Sequence, residues 1–353
     1  MAYASITKPS LHFNTKLYTG NGGTLNVTGL EFQPDFSWLK CRDIAYHHRW
    51  YDAVRGVTKS IRSDGTFAET TNAGEGLTAF NSDGYTVIQG SSTEYNNNNI
   101  KYASWNWKAN GAGSADTSGT INSTVSANTT AGFSVVKYVG DGTGGNNTIA
   151  HGLGVAPDCV IYKNLDSARN WIVYHKGIGA TKNLYLDLTN GANTASNTFN
   201  NVAPTSTFLN VNDSVGVNES GDNHIAYCFA EKKGFSKFGS YTGNGNTDGT
   251  FVYTGFKPAL VIIKNADASE HWRMYDDKRD VFNQMFRNLL PNHASVENTT
   301  DNGSEEIDFL STGFKLRSSA AQLNGNGTKY IYLAFASNPL VANVGASIPT
   351  TAR

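Results

Sequence analysis

Apolar residues in this chain fall into short runs and strict alternations, and almost nowhere into a 3.6-residue period. Three short apolar runs, Phe36 to Leu39, Cys159 to Tyr162 and Ala259 to Ile263, each follow a proline and end at a lysine and an aspartate. A run of that length with those boundaries predicts a strand buried on both faces, or nearly so. Three alternating stretches, Tyr102 to Trp107, His224 to Phe229 and Tyr330 to Phe335, predict further strands. Asn-Gly and Asp-Gly pairs between them supply the positive φ angles that hairpin connections need. The one competing helix is Val281 to Leu290. There Val281, Phe282, Met285, Phe286, Leu289 and Leu290 follow a helical period and Pro291 closes it.

The pattern is written three times. Tyr18-Thr19-Gly20-Asn21-Gly22 recurs as Tyr138-Val139-Gly140-Asp141-Gly142 and as Tyr241-Thr242-Gly243-Asn244-Gly245. Pro34, Pro157 and Pro258 are each followed at six residues by Lys40, Lys163 and Lys264, and at nine by Asp43, Asp166 and Asp267. Seventeen residues on stand Tyr51, Tyr174 and Tyr275, with His48, Trp171 and Trp272 three residues before them. A period of about 100 residues is one supersecondary unit repeated in tandem. The expected class is all-β: three β-sandwich-like repeats, with a short helix inserted in the third. The expected organisation is an N-terminal arm (1–15), repeat 1 (16–108), a linker (109–131), repeat 2 (132–234), repeat 3 (235–339) and a C-terminal tail (340–353). Residues 109–131 are almost entirely Gly, Ser, Thr, Ala and Asn with Asp116 as the only charge, a linker composition. The expected consequence is a string of three cores, with repeats 2 and 3 packed rigidly and repeat 1 set apart.

Composition narrows the function. The 353 residues carry 28 basic and 29 acidic side chains with no basic run, which argues against nucleic acid or anionic lipid as a partner. Only 16% of residues are charged, and neutral polar residues fill the deficit. The longest apolar run, Tyr330 to Ala336, is far short of a membrane helix, so no membrane insertion is expected. Met1 to Ser10 lacks an apolar h-region, so no secretory signal is expected. Cys41, Cys159 and Cys228 lie too far apart for a metal knuckle and are odd in number, so they read as small apolar fillers.

A pattern present three times is more plausibly what a fold requires than a catalytic pair, which is wanted once. The repeated Lys and Asp therefore read as a strand end whose lysine snorkels and whose aspartate caps a turn; three equivalent cation sites are the alternative. The repeated rings read as core, with a sugar-stacking surface as the alternative. Other candidates are weaker. Gly140-x-Gly142-x-Gly144-Gly145 lacks the Lys-Ser or Lys-Thr of a phosphate loop. His47 and His48 have no third ligand nearby. Glu305, Glu306 and Asp308 are a carboxylate cluster of the glycosidase type, but sequence neighbours rarely reach the required separation. Asn244 to Asp248 lacks EF-hand spacing for calcium. No GxSxG elbow is present. Asn-x-Ser/Thr strings at Asn26, Asn122, Asn128, Asn147, Asn218 and Asn298 follow from composition. No catalytic residue, metal ligand or cofactor is assigned, and the binding residues remain unassigned.

Several long strings carry a resemblance. They include Ile6 to Ser10, Phe13 to Gly22, Phe32-Gln33-Pro34-Asp35, Arg49 to Lys59, His151 to Pro157, Ala226 to Glu231, Phe235 to Tyr241, Asp308 to Ser311 and Ala352-Arg353. Together they make the chain similar, over essentially its whole length, to a family of three-repeat virion structural proteins of tailed bacteriophages, common in marine and cyanobacterial phages. Repeat 1 departs slightly, with Asn106-Trp107 where the others have Cys228-Phe229 and Ala334-Phe335. The resemblance implies a non-enzymatic tail-fibre or tail-tip protein on the virion surface, made in the host cytoplasm. Its implied partners are other virion proteins, a host-surface glycan or an outer-membrane receptor, and copies of itself, with a homo-oligomeric trimer favoured. A capsid decoration or head fibre is the alternative, and a glycan depolymerase the third reading.

Overall fold

A computed structural model of the chain describes residues 4–301 and 303–339; the C-terminal tail expected at 340–353 lies outside them. The molecule is all-β, built from antiparallel sheets with two single-turn helices, Ser196–Phe199 and Val215–Asn218, both in the second copy. Each copy contains the same four-strand unit. An opening strand (Phe13–Thr19, Phe133–Val139, Ser236–Thr242) pairs with a closing strand (Lys101–Trp107, Asn223–Phe229, Lys329–Pro339). The closing strand pairs with the strand after the repeated proline (Phe36–Cys41, Cys159–Asn164, Phe256–Asn265). That strand pairs in turn with one carrying the repeated tyrosine (Arg49–Asp52, Ile172–His175, Arg273–Asp276). The register repeats as well: Ser37 faces Tyr51, Val160 faces Tyr174 and Val261 faces Tyr275.

A smaller sheet covers the outer face of each unit, giving two layers per copy. In copy 1 it is Thr24–Thr28, Gly84–Ile88 and Gly76–Asn81; in copy 2, Asn147–Ala150 and Phe208–Val211; in copy 3, Phe251–Tyr253, Gly313–Leu316 and Ile307–Leu310. Between the layers lie three separate cores, which hold Tyr51, Tyr174 and Tyr275 respectively.

Opening turns are locked the same way three times. A buried asparagine (Asn96, Asn218, Asn324) accepts from the backbone N–H of Asn21, Asp141 or Asn244 at 2.9–3.0 Å and donates back to that residue's side chain at 2.7–2.9 Å. Gly20, Gly140 and Gly243 sit so close to the backbone next to these asparagines that a Cβ would lie 2.1–2.3 Å from a carbonyl oxygen.

The opposite faces of the three units do not form separate cores. They meet in one central cluster that draws Trp38, Trp50 and Trp105 from copy 1, Ile161, Val173 and Tyr227 from copy 2, and Ile262, Met274 and Leu333 from copy 3. At its middle stand the three equivalent closing-strand residues, Trp107, Phe229 and Phe335. Their ring centroids are 6.2, 5.4 and 5.8 Å apart, all edge to face. Three equivalent groups can touch one another pairwise only beside a rotation axis, so the copies are arranged with pseudo-threefold symmetry in a closed ring.

Closure overturns the expected string of cores with copy 1 set apart. The segment 109–131 is not a free linker either. It forms a hairpin, Ser114–Asp116 with Ser123–Asn128, that extends the sheet of copy 2 by pairing with Phe133–Val139. Its sequence reads as linker because its core residues are few and mostly small, Ile121 and Val125 with Ala109 and Ala131, and Ser123 and Ser126 are buried through hydrogen bonds to carbonyls. The expected helix at Val281 to Leu290 is absent. Met285 and Leu289 are buried separately, each exchanging backbone hydrogen bonds with Ile307 or Met274 at 2.8–3.1 Å, while Val281 and Phe282 stay exposed. Sheet pairing wins there over a marginal helix of ten residues.

Because the axis rings are shared, Phe229→Ala is expected to cost about 3–5 kcal/mol of unfolding free energy. Hydrogen exchange on the variant should accelerate in all three copies and in Ser123–Asn128 together; acceleration confined to copy 2 would contradict a common core.

Candidate functional site

The repeated residues converge on the three junctions between copies. Each lysine six residues after the proline is fully buried and donates across a junction to a backbone carbonyl: Lys40 to Ala294, Lys163 to Thr66 and Lys264 to Thr189, at 2.9–3.1 Å. Two residues further along, the carbonyls of Arg42, Leu165 and Ala266 accept the N–H of Glu297, Glu69 and Ala192 at 2.7–3.0 Å. The lysines therefore do not snorkel to solvent as expected. They stitch each copy to the next, 1 to 3, 2 to 1 and 3 to 2. Burial pulls all three ammonium groups down to about 8. The neutral amine keeps two N–H donors, so titration leaves the cross-junction bond available. The repeated aspartates behave as expected of a cap: Asp43, Asp166 and Asp267 accept the N–H of Lys101, Asn223 and Lys329, the first residues of the closing strands, at 2.7–2.9 Å.

One step deeper, two junctions carry a buried ion set. Asp52 accepts from Arg55, and from Tyr227 of copy 2 at 2.8 Å, while Arg55 also reaches Glu69 at 3.1 Å. Asp276 accepts from Arg279 and from Trp105 of copy 1 at 3.1 Å, and Arg279 reaches Glu297 at 3.2 Å. At the junction of copies 2 and 3 the equivalent positions are His175, Ile178 and Ala192, facing Leu333. Nδ1 of His175 accepts the Gly177 N–H at 3.0 Å, so the proton sits on Nε2, which donates to the Tyr332 carbonyl at 3.2 Å.

The remaining sequence candidates are dispersed. His48 is buried and accepts from Trp38 Nε1 at 2.8 Å, whereas His47 is partly exposed and bonds to buried Asp64 at 2.9 Å. Glu305 pairs with Arg273 at 2.6 Å and Asp308 with Arg317 at 2.5 Å, and Glu306 accepts the Gly303 N–H at 2.7 Å, so the cluster is divided among three partners. The loop at Gly140 is the locked turn of copy 2. Asn244, Asn246 and Asp248 are bonded mainly to one another and to Asn324. The three cysteines are buried and free. Among the described residues, no group of three or more His, Cys, Asp or Glu side chains is placed to hold a metal ion, and no helix is long and apolar enough to cross a membrane.

Sequence reasoning missed two sets. Asn96, Asn218 and Asn324 each stand six residues before a ring of the closing strand (Tyr102, His224, Tyr330), a spacing open to inspection. Arg55 and Arg279 stand twenty-one residues after their prolines, but copy 2 has Ile178 there, which hid the match.

Outside the junctions, the copies differ where they face solvent. The corresponding positions on the first strand of the small sheet are Asn26 and Thr28 in copy 1, Thr148 and the buried Ala150 in copy 2, and Phe251 and Tyr253 in copy 3, the last two 44% and 54% exposed.

Asp52→Ala strands Arg55 in the core and is expected to cost about 3–5 kcal/mol in urea unfolding. A cost near zero would mean that the ion set does not hold the junction. Stability should also fall in acid. Burial lowers His48 and His175 to about 3 and His224 to about 4. The unfolded imidazoles bind protons near 6.5, so below that pH the unfolded state takes up more protons and is favoured. The contribution is complete above pH 6.5 and is lost as pH falls toward 4 and 3; His175→Gln should make the pH dependence of the urea midpoint shallower in this window.

A family model described as a domain of unknown function, DUF7483, matches residues 8–339. No curated protein and no solved structure matches the chain. The matched span runs from the first opening strand to the last closing strand and takes in all three junctions, so what it describes is the ring and not one repeat; the chain belongs to the DUF7483 family.

Proposed function

We propose that this chain is a non-enzymatic structural protein of a tailed-phage virion, carried at the tail fibre or tail tip, where its outer faces meet the host surface or a neighbouring virion protein. The observation that carries this reading is the cyclic use of the repeated residues. The letters common to all copies are spent on turns, strand caps and junctions, and exposed positions of the small sheet, Asn26 and Thr28 in copy 1 against Phe251 and Tyr253 in copy 3, differ between copies. Such a division suits a rigid particle component whose binding specificity varies while its frame does not. The likeness of its strings to virion proteins supports the same setting. Association with further copies would use the outer faces, since the face a trimer would bury is already filled by the chain's own three copies. Weak contacts multiplied over such an assembly give avidity through effective concentration.

Capsid decoration is the second reading, favoured by the closed, compact ring. Immunogold labelling of purified phage particles with antibodies to the full chain separates the two. Label at the tail is expected. Label confined to the head would transfer the protein to the capsid, and unlabelled particles would overturn a virion role.

A further inference from the structure

We infer that Asn190-Gly191 is a site of spontaneous backbone modification, where the asparagine loses its amide to an isoaspartate link and the junction between copies 2 and 3 is loosened. The sequence holds seven Asn-Gly pairs, the dipeptide whose second nitrogen is least hindered because no Cβ stands beside it. In the folded chain that nitrogen is tied down at the other six. Its N–H donates to a carbonyl at Gly22, Gly245 and Gly327, to the Tyr330 hydroxyl at Gly325 and to Glu306 at Gly303, all at 2.7–2.9 Å. At Gly111 it donates to the buried Asp35 carboxylate. The Gly191 N–H, in the irregular stretch before Asn193–Thr194, has no such bond among the described residues. Asn190 is exposed and its amide is likewise unbonded among them, whereas Asn21, Asn244 and Asn324 commit theirs to the locked turns.

The place of this pair in the ring gives the reaction a consequence. Thr189, Thr66 and Ala294 supply the carbonyls that take the three stitching lysines, so the dipeptides that follow them are equivalent: Asn190-Gly191, Phe67-Ala68 and Ser295-Val296. The fold thus accepts other residues there, and it is the junction without an ion set that carries Asn-Gly. The Thr189 carbonyl is fixed by Lys264 Nζ and by the N–H of Glu270, both at 2.9 Å, and Ala192 by the bond from its N–H to the Ala266 carbonyl at 2.7 Å. Gly191 is packed between them, where a Cβ would lie 3.1 Å from the Ala266 carbonyl oxygen. The chain between the two fixed points has no slack.

The chemistry needs only water. The Gly191 nitrogen attacks Cγ of Asn190; the new C–N bond forms as the C–N bond of the amide breaks, and ammonia leaves with the proton that the attacking nitrogen gives up. A succinimide ring results. Water then opens it at either carbonyl. Attack at Cγ gives aspartate with the backbone unchanged. Attack at the main-chain carbonyl leaves that carbon as a free carboxylate and routes the backbone through Cβ and Cγ, one atom longer. An added backbone atom between Thr189 and Ala192 displaces one of them from its hydrogen-bond partners across the junction.

The test holds the full chain at mildly alkaline pH, folded and in concentrated urea, and maps its peptides by mass spectrometry, with electron-transfer fragmentation to tell isoaspartate from aspartate. In the folded state Asn190 is expected to react at least about tenfold faster than the asparagine of any other Asn-Gly pair, because those react only from local openings of the fold. In urea all seven should react at similar rates; the same lead for Asn190 there would assign it to sequence and overturn the structural basis. Folded-state reaction at Asn190 no faster than at Asn110 or Asn326 overturns the site, and aspartate without isoaspartate overturns the loosening. Hydrogen exchange of the aged protein tests the loosening separately. Exchange at the Ala192 amide should rise at least about tenfold, while Glu69 and Glu297, the equivalent donors at the other junctions, keep their protection. Asn190→Gln, which alters an exposed side chain, should keep Ala192 protected when aged alongside. Unchanged exchange at Ala192 in chains that contain the isoaspartate, or equal acceleration in the variant, overturns the inference.

Discussion

The structure depends on one constraint: the main sheet of each copy has two apolar faces and a partner of its own for only one. The small sheet covers the outer face and makes a local core. The inner face, with Trp38 and Trp50 in copy 1 or Val173 and Tyr227 in copy 2, finds cover only against the other copies. A roughly 100-residue unit ending there would leave a large apolar patch in water. Closing three units about Trp107, Phe229 and Phe335 removes all three patches at once. Each copy is thereby a layer in the others' core, so the chain behaves as one domain although it reads as three.

The junctions are built alike and filled differently. Backbone and lysine bonds repeat at all three, which sets the geometry. The ion sets Asp52, Arg55, Glu69 and Asp276, Arg279, Glu297 occupy two of them, and His175, Ile178 and Ala192 replace the whole set at the third. The replacement is concerted, as it must be. A single member removed would leave a buried charge unpaired, whereas an apolar set of similar shape costs little. The facing residue changes too: Tyr227 and Trp105 can donate to an aspartate, and Leu333 cannot. A copy docked at the wrong junction would set Arg55 and Asp52 against Leu333, so the ion sets also penalise copies closing in the wrong order.

Much of the frame was legible. The threefold spacing, the strands after each proline, the buried tyrosines and the aspartate caps follow from patterns that are local to one copy. What escaped was everything that depends on another copy. A lysine at the end of a buried strand reads as solvent-bound from its own neighbours, whereas Lys40 stays inside by donating to the carbonyls of Tyr46 and of Ala294, the latter 254 residues away. The hairpin at 114–128 failed for a related reason. Its small polar residues satisfy hydrogen bonds at a sheet edge that the sequence does not reveal, and composition alone then resembles a flexible tether. At 281–290 a real helical period was present, but the register of Met285 and Leu289 was claimed by strands elsewhere in the copy.

Internal repetition supplies a control that a single domain lacks. Where all three copies agree, as at the turn asparagines, the fold's own requirement accounts for the residue. Where one copy departs and the departure is compensated, as at His175, Ile178 and Ala192, packing still accounts for it.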